Sequence, residues 1–273
     1  MIVSKTHEPS IKDTALGHVV LSTPAPATRR SSLDLLLKRA SDILVAFFGL
    51  LFVVPLFGAI ALAIRCESEG PTFFRQKRVG RYGVEFYILK FRTMCWDPSE
   101  TGPQVTAADD HRVTRIGKFL RATKLVELPQ LINVLLGDMS FVGPRPQVPR
   151  FVEHFTPELK DTILSATPGL TSPATIAFRN EERMLRGQQD REAFYVNVIL
   201  PIKCTIDAEY VAVRSIWHDG GVLITTAWIV GRTIIKRWVA TATGSKTENR
   251  VSRMELVVQN AAINPESTPL KLI

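Results

Sequence analysis

The sequence predicts an α+β fold that is mainly helical, with an N-terminal proline-broken re-entrant membrane helix, a small β-hairpin, and a helical body that carries interfacial amphipathic helices. Three observations lead to this prediction: one long uncharged apolar run, two strand-like stretches around a turn, and several later segments whose apolar residues have helical spacing. They divide the 273 residues into a disordered tail (1–32), a membrane-inserted helical hairpin (33–66), a cytosolic domain (67–239) and a second disordered tail (240–273).

The apolar run covers residues 43–64, contains no charged residue, and is long enough to cross a bilayer, which takes about 20 residues. Pro55 lies near its middle, where a proline removes a helical hydrogen bond and kinks the axis. Basic residues flank the run on both sides, so the positive-inside rule gives no direction for a straight crossing. We therefore predict a broken helix that enters and leaves on the cytoplasmic side; the alternative is an ordinary transmembrane helix kinked at Pro55.

A β-hairpin is predicted after this run. Residues 72–79 and 84–94 have the composition of strands, and the turn GRYG at 80–83 separates them. Because alternate side chains of a strand lie on the same face, Lys90 and Arg92 are expected side by side on one surface.

Further helices are predicted downstream. Residues 109–124 combine repeated cations with apolar residues at helical spacing, which is typical of a basic amphipathic helix. Pro129 suits the first turn of the next helix and Gly137 its end, so Glu127 lies at or just before a helix N-terminus. Residues 216–238 are apolar and carry three tryptophans, which suits either a membrane–water interface or core packing.

Three features of these segments indicate an anionic ligand. Glu127 lies where free backbone N–H groups attract negative charge, so that a phosphate with a metal ion could bind beside it; the alternative is a glutamate that only caps the helix. Arg145 lies between two prolines, and a stiff loop of this kind suits bidentate phosphate binding; the alternative is a turn with a solvated arginine. Lys90 and Arg92 supply further positive charge. The pattern indicates phosphate chemistry, but no spacing identifies a reaction.

The overall composition agrees with these features. The chain is 45% hydrophobic, as expected for one inserted segment on a water-soluble body, and its net charge of +8 favours anionic partners. The cations adjoin an apolar run rather than stacking aromatics, which argues against nucleic acid as a partner. The three cysteines are far apart in the sequence and form no CxxC pair, which argues against both a disulfide framework and a zinc site.

Four segments of the sequence resemble the bacterial sugar transferases, the monotopic phosphoglycosyl transferases of capsule, exopolysaccharide and O-antigen synthesis. The resemblance covers roughly residues 36–235, and its most specific block surrounds ELPQ and GPRP. In chain order, the segments read KRASDILVAFFGLLFVVPLF, FFRQKRVGRYGVEFYILKFRTM, DDHRVTRIGKFLRATKLVELPQLINVLLGDMSFVGPRP and PGLTSPA.

The resemblance implies a phosphoglycosyl transferase with Mg²⁺ as cofactor, which moves sugar-1-phosphate from a UDP-sugar to undecaprenyl phosphate and releases UMP. It also implies a monotopic protein on the cytoplasmic face of the bacterial inner membrane, in contact with its lipid and with downstream glycosyltransferases as further partners. Carried over by motif, the expected catalytic residues are Glu127, Lys90 and Arg145, with Glu127 also as metal ligand. The expected substrate-binding residues are Arg92, Arg112, Gln130, Arg179 and Asn180.

One position departs from the family pattern. The family has an adjacent Asp–Glu pair in which the aspartate takes the phosphosugar covalently, whereas this chain has Val126 before Glu127. Three alternatives follow: Glu127 is itself the nucleophile; the acceptor phosphate attacks directly while Glu127 holds Mg²⁺; or the chain is a catalytically silent, membrane-bound binding or regulatory subunit of a polysaccharide assembly.

Overall fold

The structure is a computed structural model that describes residues 31–96 and 110–243, with side chains as far as residue 236. It is mainly helical, with two small two-stranded sheets. The two predicted tails fall almost entirely outside the described residues, as does Asp109, the first residue of the predicted basic helix.

The first helix, α1 (Ser32–Glu67), contains the predicted apolar run. Ser31 caps its N-terminus, with the side-chain oxygen accepting from the backbone N–H of Asp34 at 3.1 Å. Among the described residues, α1 is the one helix long and apolar enough to cross a membrane. Only 11% of its most apolar window is buried, and Phe52 is 87% exposed, which is unlike a helix in a soluble core.

The structure does not show the predicted break at Pro55, because α1 is a single helix that continues through it. A proline removes one backbone hydrogen bond and displaces one turn, so a long helix can continue on both sides of it. Both ends of α1 contact the rest of the protein. Arg39 donates to the carbonyl oxygens of Val134 and Leu135 at 2.6 and 2.9 Å. Near the other end, Ile60 and Ile64 pack against the hairpin and the following helix.

The predicted hairpin is confirmed. Strands β1 (Phe73–Val79) and β2 (Glu85–Phe91) pair antiparallel, and a 3₁₀ turn, Arg81–Gly83, joins them. Tyr82 and Gly83 both have positive φ, as a tight hairpin connection requires.

The basic amphipathic helix is shorter than predicted: α2 is Arg115–Thr123. Its start is fixed by Thr114, whose side-chain oxygen accepts from the N–H of Gly117, and the residues just before it are extended, with a bridge between Met94 and Val113. A 3₁₀ turn, Leu125–Glu127, leads to α3 (Gln130–Leu136), and Gly137 ends α3 with φ of 100° as predicted.

The remaining chain packs as a helical body around one parallel strand pair, β3 (Ser140–Val142) and β4 (Gly169–Thr171). At the end of this pair the backbones of Gly143 and Gly169 lie in direct contact: a Cβ on Gly143 would lie 2.2 Å from the carbonyl oxygen of Thr167. The helices before the last one are α4 (Pro149–Val152), α5 (Pro157–Leu164), α6 (Pro173–Ala177), α7 (Glu181–Met184), α8 (Arg191–Phe194), a π-helix (Tyr195–Ile199) and α9 (Leu200–Val213).

The largest apolar core of the described residues lies between α4, α5, the π-helix and α9, where Phe151, Ile163, Ile199 and Leu200 are buried together. Burial of each such side chain stabilises the fold by roughly 1.5–3 kcal/mol. The last helix, α10 (Ile216–Thr243), contacts β3 and β4 but leaves Trp217 87% and Trp228 69% exposed. These two tryptophans therefore do not serve core packing.

Candidate active site

Glu127 is positioned by the sharp connection between α2 and α3. Lys124 ends α2 in the left-handed region at φ 62°, an uncommon conformation for a residue with a side chain. The 3₁₀ turn that follows is closed by a bond from the N–H of Glu127 to the carbonyl of Lys124 at 3.3 Å. Glu127 thus lies in its own turn before α3, and a seven-residue helix contributes only a small dipole to its surroundings.

Arg145 lies in the loop between β3 and α4, as the flanking prolines suggested, and several hydrogen bonds fix this loop. The backbone N–H of Arg145 donates to the carboxylate of Asp207 at 3.2 Å, and the backbone N–H of Gly169 donates to the carbonyl of Pro144 at 2.9 Å. On the other side, Arg78 of β1 donates to the carbonyl of Pro146 at 2.9 Å. The guanidinium of Arg145 is therefore presented from a backbone held on both sides.

Glu127 and Arg145, far apart in sequence, form an ion pair. One Glu127 oxygen is 2.6 Å from Nη2 of Arg145, the other is 3.4 Å from Nη1, and each side chain is only 22% exposed. Burial by itself favours a protonated Glu127, but Arg145, with help from Lys90, outweighs it and lowers the pKa of Glu127 to about 2. Glu127 also raises the pKa of Arg145 above its usual value. Both groups are fully charged at neutral pH.

Lys90, on β2, lies within electrostatic range of this pair. Burial, together with repulsion from Arg78 and Arg145, lowers the pKa of Lys90 to about 7, although Glu127 acts in the opposite direction. Burial and Arg145 likewise lower the pKa of Arg78 to about 10. The structure therefore brings together the three predicted catalytic residues and adds Arg78. These four residues form a charged cluster in which one carboxylate, that of Glu127, interacts with the cations Arg145, Lys90 and Arg78.

Asp207, on α9, is a site residue that the sequence analysis did not identify. Its two oxygens accept from the backbone N–H groups of Arg145 and Ala174, at 3.2 and 3.4 Å, so one carboxylate joins the loop after β3 to the first turn of α6. Burial raises its pKa to about 6, against the hydrogen bonds that it accepts. A usable signal was present: Lys203 and Asp207 are four residues apart in a largely apolar helix, which indicates buried charge.

Lys203 and its partners were also missed. Lys203 is buried and forms an ion pair with Glu181 at 2.5 Å, and Glu181 and nearby Tyr195 outweigh burial and raise the Lys203 pKa. The hydroxyl of Tyr195 donates to Gln147 at 3.1 Å. This buried polar network lies under the Arg145 loop, because Gln147 belongs to that loop.

Arg92 and Arg112, predicted to bind substrate, have other partners. Arg92 lies just beyond the end of β2 and donates to the carbonyls of Ser68 and Glu69, so the predicted side-by-side arrangement with Lys90 is not found. The reason is that β2 ends at Phe91, and the strand alternation ends with it. Arg112 forms a two-point ion pair with Asp110, with one contact at 2.7 Å.

The other predicted substrate-binding residues, Gln130, Arg179 and Asn180, form no hydrogen bond or ion pair with the charged cluster among the described residues. Gln130 is completely buried at the start of α3, and neither atom of its side-chain amide has a hydrogen-bond partner among the described residues. Arg179 is exposed, and Asn180 caps α7 immediately before Glu181. An unpaired buried amide costs free energy unless a ligand or water satisfies it.

Val126 points away from this charge. It packs, partly buried, with the apolar cluster that contains Ile60, Ile64, Phe91 and Leu120. The side chain before Glu127 thus joins the active-site turn to the C-terminal part of α1.

This arrangement suits an anionic substrate. Among the described residues, the ammonium of Lys90 has no hydrogen-bond or ion-pair partner, and Arg145 and Arg78 lie in electrostatic range of it. A phosphate could accept from Lys90 and from Arg145, which would release one oxygen of Glu127 from its ion pair.

The comparisons with known proteins agree with this chemistry. The chain is 38% identical over 210 residues to the UDP-glucose:undecaprenyl-phosphate glucose-1-phosphate transferase of Escherichia coli, which covers 75% of this chain and 42% of the relative. It is 39% identical over 194 residues to the Caulobacter vibrioides protein of the same name, over 69% of this chain and 67% of that one. The UDP-N-acetylgalactosamine-undecaprenyl-phosphate N-acetylgalactosaminephosphotransferase of Aeromonas hydrophila is 46% identical over 123 residues, 45% of this chain and 29% of the relative.

The chain thus spans less than half the length of two of these three relatives. The sequence model described as bacterial sugar transferase matches residues 33–233, a range that runs from the start of α1 through most of α10 and includes every residue of the charged cluster. On that match, and on relatives similar over most of its length, this chain belongs to the bacterial sugar transferase family.

Proposed function

We propose that this protein transfers sugar-1-phosphate from a UDP-sugar to undecaprenyl phosphate, the first step in building a repeat unit of exopolysaccharide, capsule or O-antigen, for use by downstream glycosyltransferases. The observation that carries the proposal is the partly buried Glu127–Arg145 pair beside Lys90, because three elements bring a carboxylate and cations together within one body that also holds an exposed apolar helix. The names of the relatives support the same substrates.

The reaction exchanges one bond to phosphorus. An oxygen nucleophile attacks the phosphorus that bears the sugar, the bond from that phosphorus to the oxygen of UMP breaks, and UMP leaves with the electron pair. Arg145 and Lys90 neutralise the diphosphate while charge develops on the leaving UMP. Either Glu127 is the first nucleophile and the lipid phosphate then displaces the phosphosugar from it, or the lipid phosphate attacks directly.

The low pKa of Glu127 supports both routes, because the carboxylate is ionised at neutral pH and needs no base to activate it. In the covalent route, substrate phosphate competes for Arg145 and leaves one Glu127 oxygen available for attack. In the direct route, Glu127 keeps Arg145 in position.

Mg²⁺ is part of the proposal. The described residues contain no group of three His, Cys, Asp or Glu that could form a complete metal site. Mg²⁺ bound with substrate phosphates usually takes one or two carboxylates and keeps several waters, so Glu127 fits as its protein ligand. When bound, the ion supplies positive charge for the diphosphate.

We also propose that the protein is monotopic, with α1 re-entrant from the cytoplasmic face of the inner membrane. Contacts at both ends of α1 with one polar body support this, since a straight crossing would carry one end to the opposite side. The exposed tryptophans of α10 support an interfacial position for that helix.

The test is UMP release by the detergent-purified protein with Mg²⁺, undecaprenyl phosphate and a panel of UDP-sugars. We expect release with at least one sugar and only when the lipid is present. No release with any sugar, beside an active relative as positive control, would contradict the proposal and support a silent binding subunit.

Glu127→Gln is the informative variant in the same assay. The amide keeps the size of the side chain but can neither attack phosphorus nor hold Mg²⁺ well, so turnover is expected to fall at least about 10³-fold. Lys77→Gln, which removes an exposed cation outside the cluster, is the matched control. Full activity in Glu127→Gln would rule out this site.

A further inference from the structure

A second group of cations lies beside the first turns of α1. There, a cavity of about 260 Å³ lies between α1, the hairpin turn and β3. The C-terminal ends of α3 and α9 and the loop before β4 complete its wall. None of Glu127, Lys90 and Arg145 lines it. Its volume is below the roughly 300–1,000 Å³ of sites for drug-sized ligands. The cavity is therefore too small for a whole nucleotide sugar but suits a smaller polar group.

The wall of this cavity is positively charged. Its cations come from three parts of the chain: Lys38, Arg39, Arg81 and Arg214. Two carboxylates oppose them. Asp42 lines the cavity and accepts from the N–H of Phe141 at 3.2 Å, and Asp219 pairs with Lys38 at 2.7 Å. Lys38 is balanced by Asp219, whereas Arg39 and Arg81 donate to neutral carbonyls, so the part of the wall that the structure describes has excess positive charge.

Arg39 and Arg81 are held in place by neutral groups. Arg39 donates to two carbonyls at the end of α3, and Nε of Arg81 donates to the carbonyl of Ser165 at 3.1 Å. A carbonyl orients a guanidinium without cancelling its charge. Both arginines are thus oriented in advance, and an anion that enters the cavity meets their full charge with little loss of side-chain entropy.

The surroundings of the cavity are apolar. Leu35 belongs to its wall and is exposed, as are Leu33 and Leu36 in the same turns of α1. Trp217, in the first turn of α10 shortly after Arg214, is also exposed. A basic pocket between exposed apolar helices at a membrane surface is the arrangement that binds the phosphate of an anionic lipid.

We infer that this cavity binds the phosphate group of an anionic membrane lipid, at a site separate from the Glu127–Arg145 cluster. Arg39 and Arg81 contact the phosphate, and the acyl or prenyl chain lies along the exposed leucines of α1. The inference rests on the membrane placement given under the proposed function, but it does not require transferase activity.

The experiment is a lipid titration of the 273-residue protein in neutral detergent, followed by native mass spectrometry. Phosphatidylglycerol is expected to bind saturably and phosphatidylcholine much more weakly. Arg81→Gln should weaken phosphatidylglycerol binding about fivefold, the contribution of one basic residue near an anionic surface. Arg81→Lys retains the charge, so it should weaken phosphatidylglycerol binding by less than half as much as Arg81→Gln does. A purely structural role of Arg81 would instead weaken binding equally in both variants.

Arg75→Gln is the matched control, because Arg75 is an exposed arginine of the same hairpin that does not line the cavity. Equal weakening by Arg75→Gln, or unchanged binding in Arg81→Gln, would overturn the inference. So would displacement of phosphatidylglycerol by inorganic phosphate at equal concentration, since no lipid would then be needed.

Competition with undecaprenyl phosphate shows which lipid supplies the phosphate that binds in the cavity. Displacement of phosphatidylglycerol at low concentration assigns the cavity to the acceptor lipid, and failure to displace assigns it to bulk phospholipid; either result supports a lipid phosphate. UMP release measured on the same preparations separates the two proposals. Charge-dependent lipid binding without UMP release would leave this inference intact while the proposed function fails.

Discussion

At the residue scale, the charge of Lys90 depends on whether an anion is bound beside it. Its pKa of about 7 comes from burial and from two neighbouring arginines, so a bound diphosphate would raise it again. In the free protein, the folded state binds fewer protons at Lys90 than the unfolded state does between pH 7 and its ordinary value of 10.5. The Lys90 contribution to the free energy of unfolding therefore rises with pH across that window.

The same shift predicts how substrate affinity changes with pH. Protonated Lys90 is the form that binds phosphate, so KM for the UDP-sugar should rise about fivefold between pH 7 and pH 8, as expected for one proton lost at a pKa near 7. The guanidinium introduced by Lys90→Arg stays protonated and should flatten the profile. Steady-state kinetics across this range measure both. A wild-type KM independent of pH would contradict the assignment.

Val126 gives a second prediction at this scale. Val126→Asp would place a carboxylate against the apolar cluster at the end of α1 and next to ionised Glu127. We expect a loss of about 1–3 kcal/mol in the free energy of unfolding and activity that is unchanged or lower. Thermal melting and UMP release check these outcomes, with Val126→Thr as the near-isosteric control. Activity gained from an inactive wild type would instead identify a silent protein.

At the scale of the element, α9 organises the site from beneath. Its Asp207 binds the loop after β3 and the first turn of α6, and its Lys203 pairs with Glu181 at the start of α7. Three short segments with little regular structure of their own thus take their positions from one 14-residue helix. The two prolines around Arg145 restrict the loop, and the Asp207 bond sets where it lies.

Asp207→Ala tests this dependence. It leaves the N–H groups of Arg145 and Ala174 without their acceptor, so the free energy of unfolding should fall by roughly 2–4 kcal/mol and kcat should fall more than KM rises. Denaturant unfolding and steady-state kinetics measure the two effects. Asp207→Asn keeps one acceptor oxygen and should recover part of both. If kcat were unchanged in the folded alanine variant, Asp207 would not position Arg145.

At the scale of the whole molecule, the long apolar helix α1 and the polar body form one unit. The N-terminal half of α1 contacts α3 through Arg39, and its last residue, Glu67, accepts from the first two N–H groups of α2 at 2.7 and 2.9 Å. Since both ends are tied to the same body, the orientation of α1 in the membrane follows from the orientation of the body.

Thiol labelling tests the re-entrant path. Cys66 is exposed at the end of α1, and Ser32→Cys places a thiol at its start. With the other exposed cysteine replaced, a membrane-impermeant maleimide should label both positions in inside-out vesicles and neither in intact spheroplasts. Detergent-solubilised protein gives the full labelling signal as the control. Labelling of the thiol introduced by Ser32→Cys from the outside would show that α1 crosses the membrane.

Local sequence signals predicted the parts of the fold that local chemistry determines. The turn at 80–83 predicted the hairpin, Gly137 predicted the end of α3, and the prolines around Arg145 predicted a stiff loop. The pairing of Glu127 with Arg145 depends on how α3 and β3 pack, which no spacing rule expresses. For Arg92 the local signal was misleading. Strand alternation predicted that it lies beside Lys90, but β2 ends at Phe91, and Arg92 contacts the backbone at the end of α1 instead.

The contact of Gly143 with Gly169 has a consequence for how the two charged regions communicate. Gly143 lines the cavity beside α1, and Arg145, two residues later, reaches Glu127. A Cβ on Gly169 would lie 2.1 Å from the backbone nitrogen of Gly143, so no side chain fits between the two strands. Gly143 thus belongs to the wall of the cavity and, two residues before Arg145, to the backbone that leads into the Arg145 loop. We expect a ligand that displaces Gly143 from the cavity side to displace the Arg145 loop as well, because the close contact with Gly169 leaves no side chain there to absorb the movement.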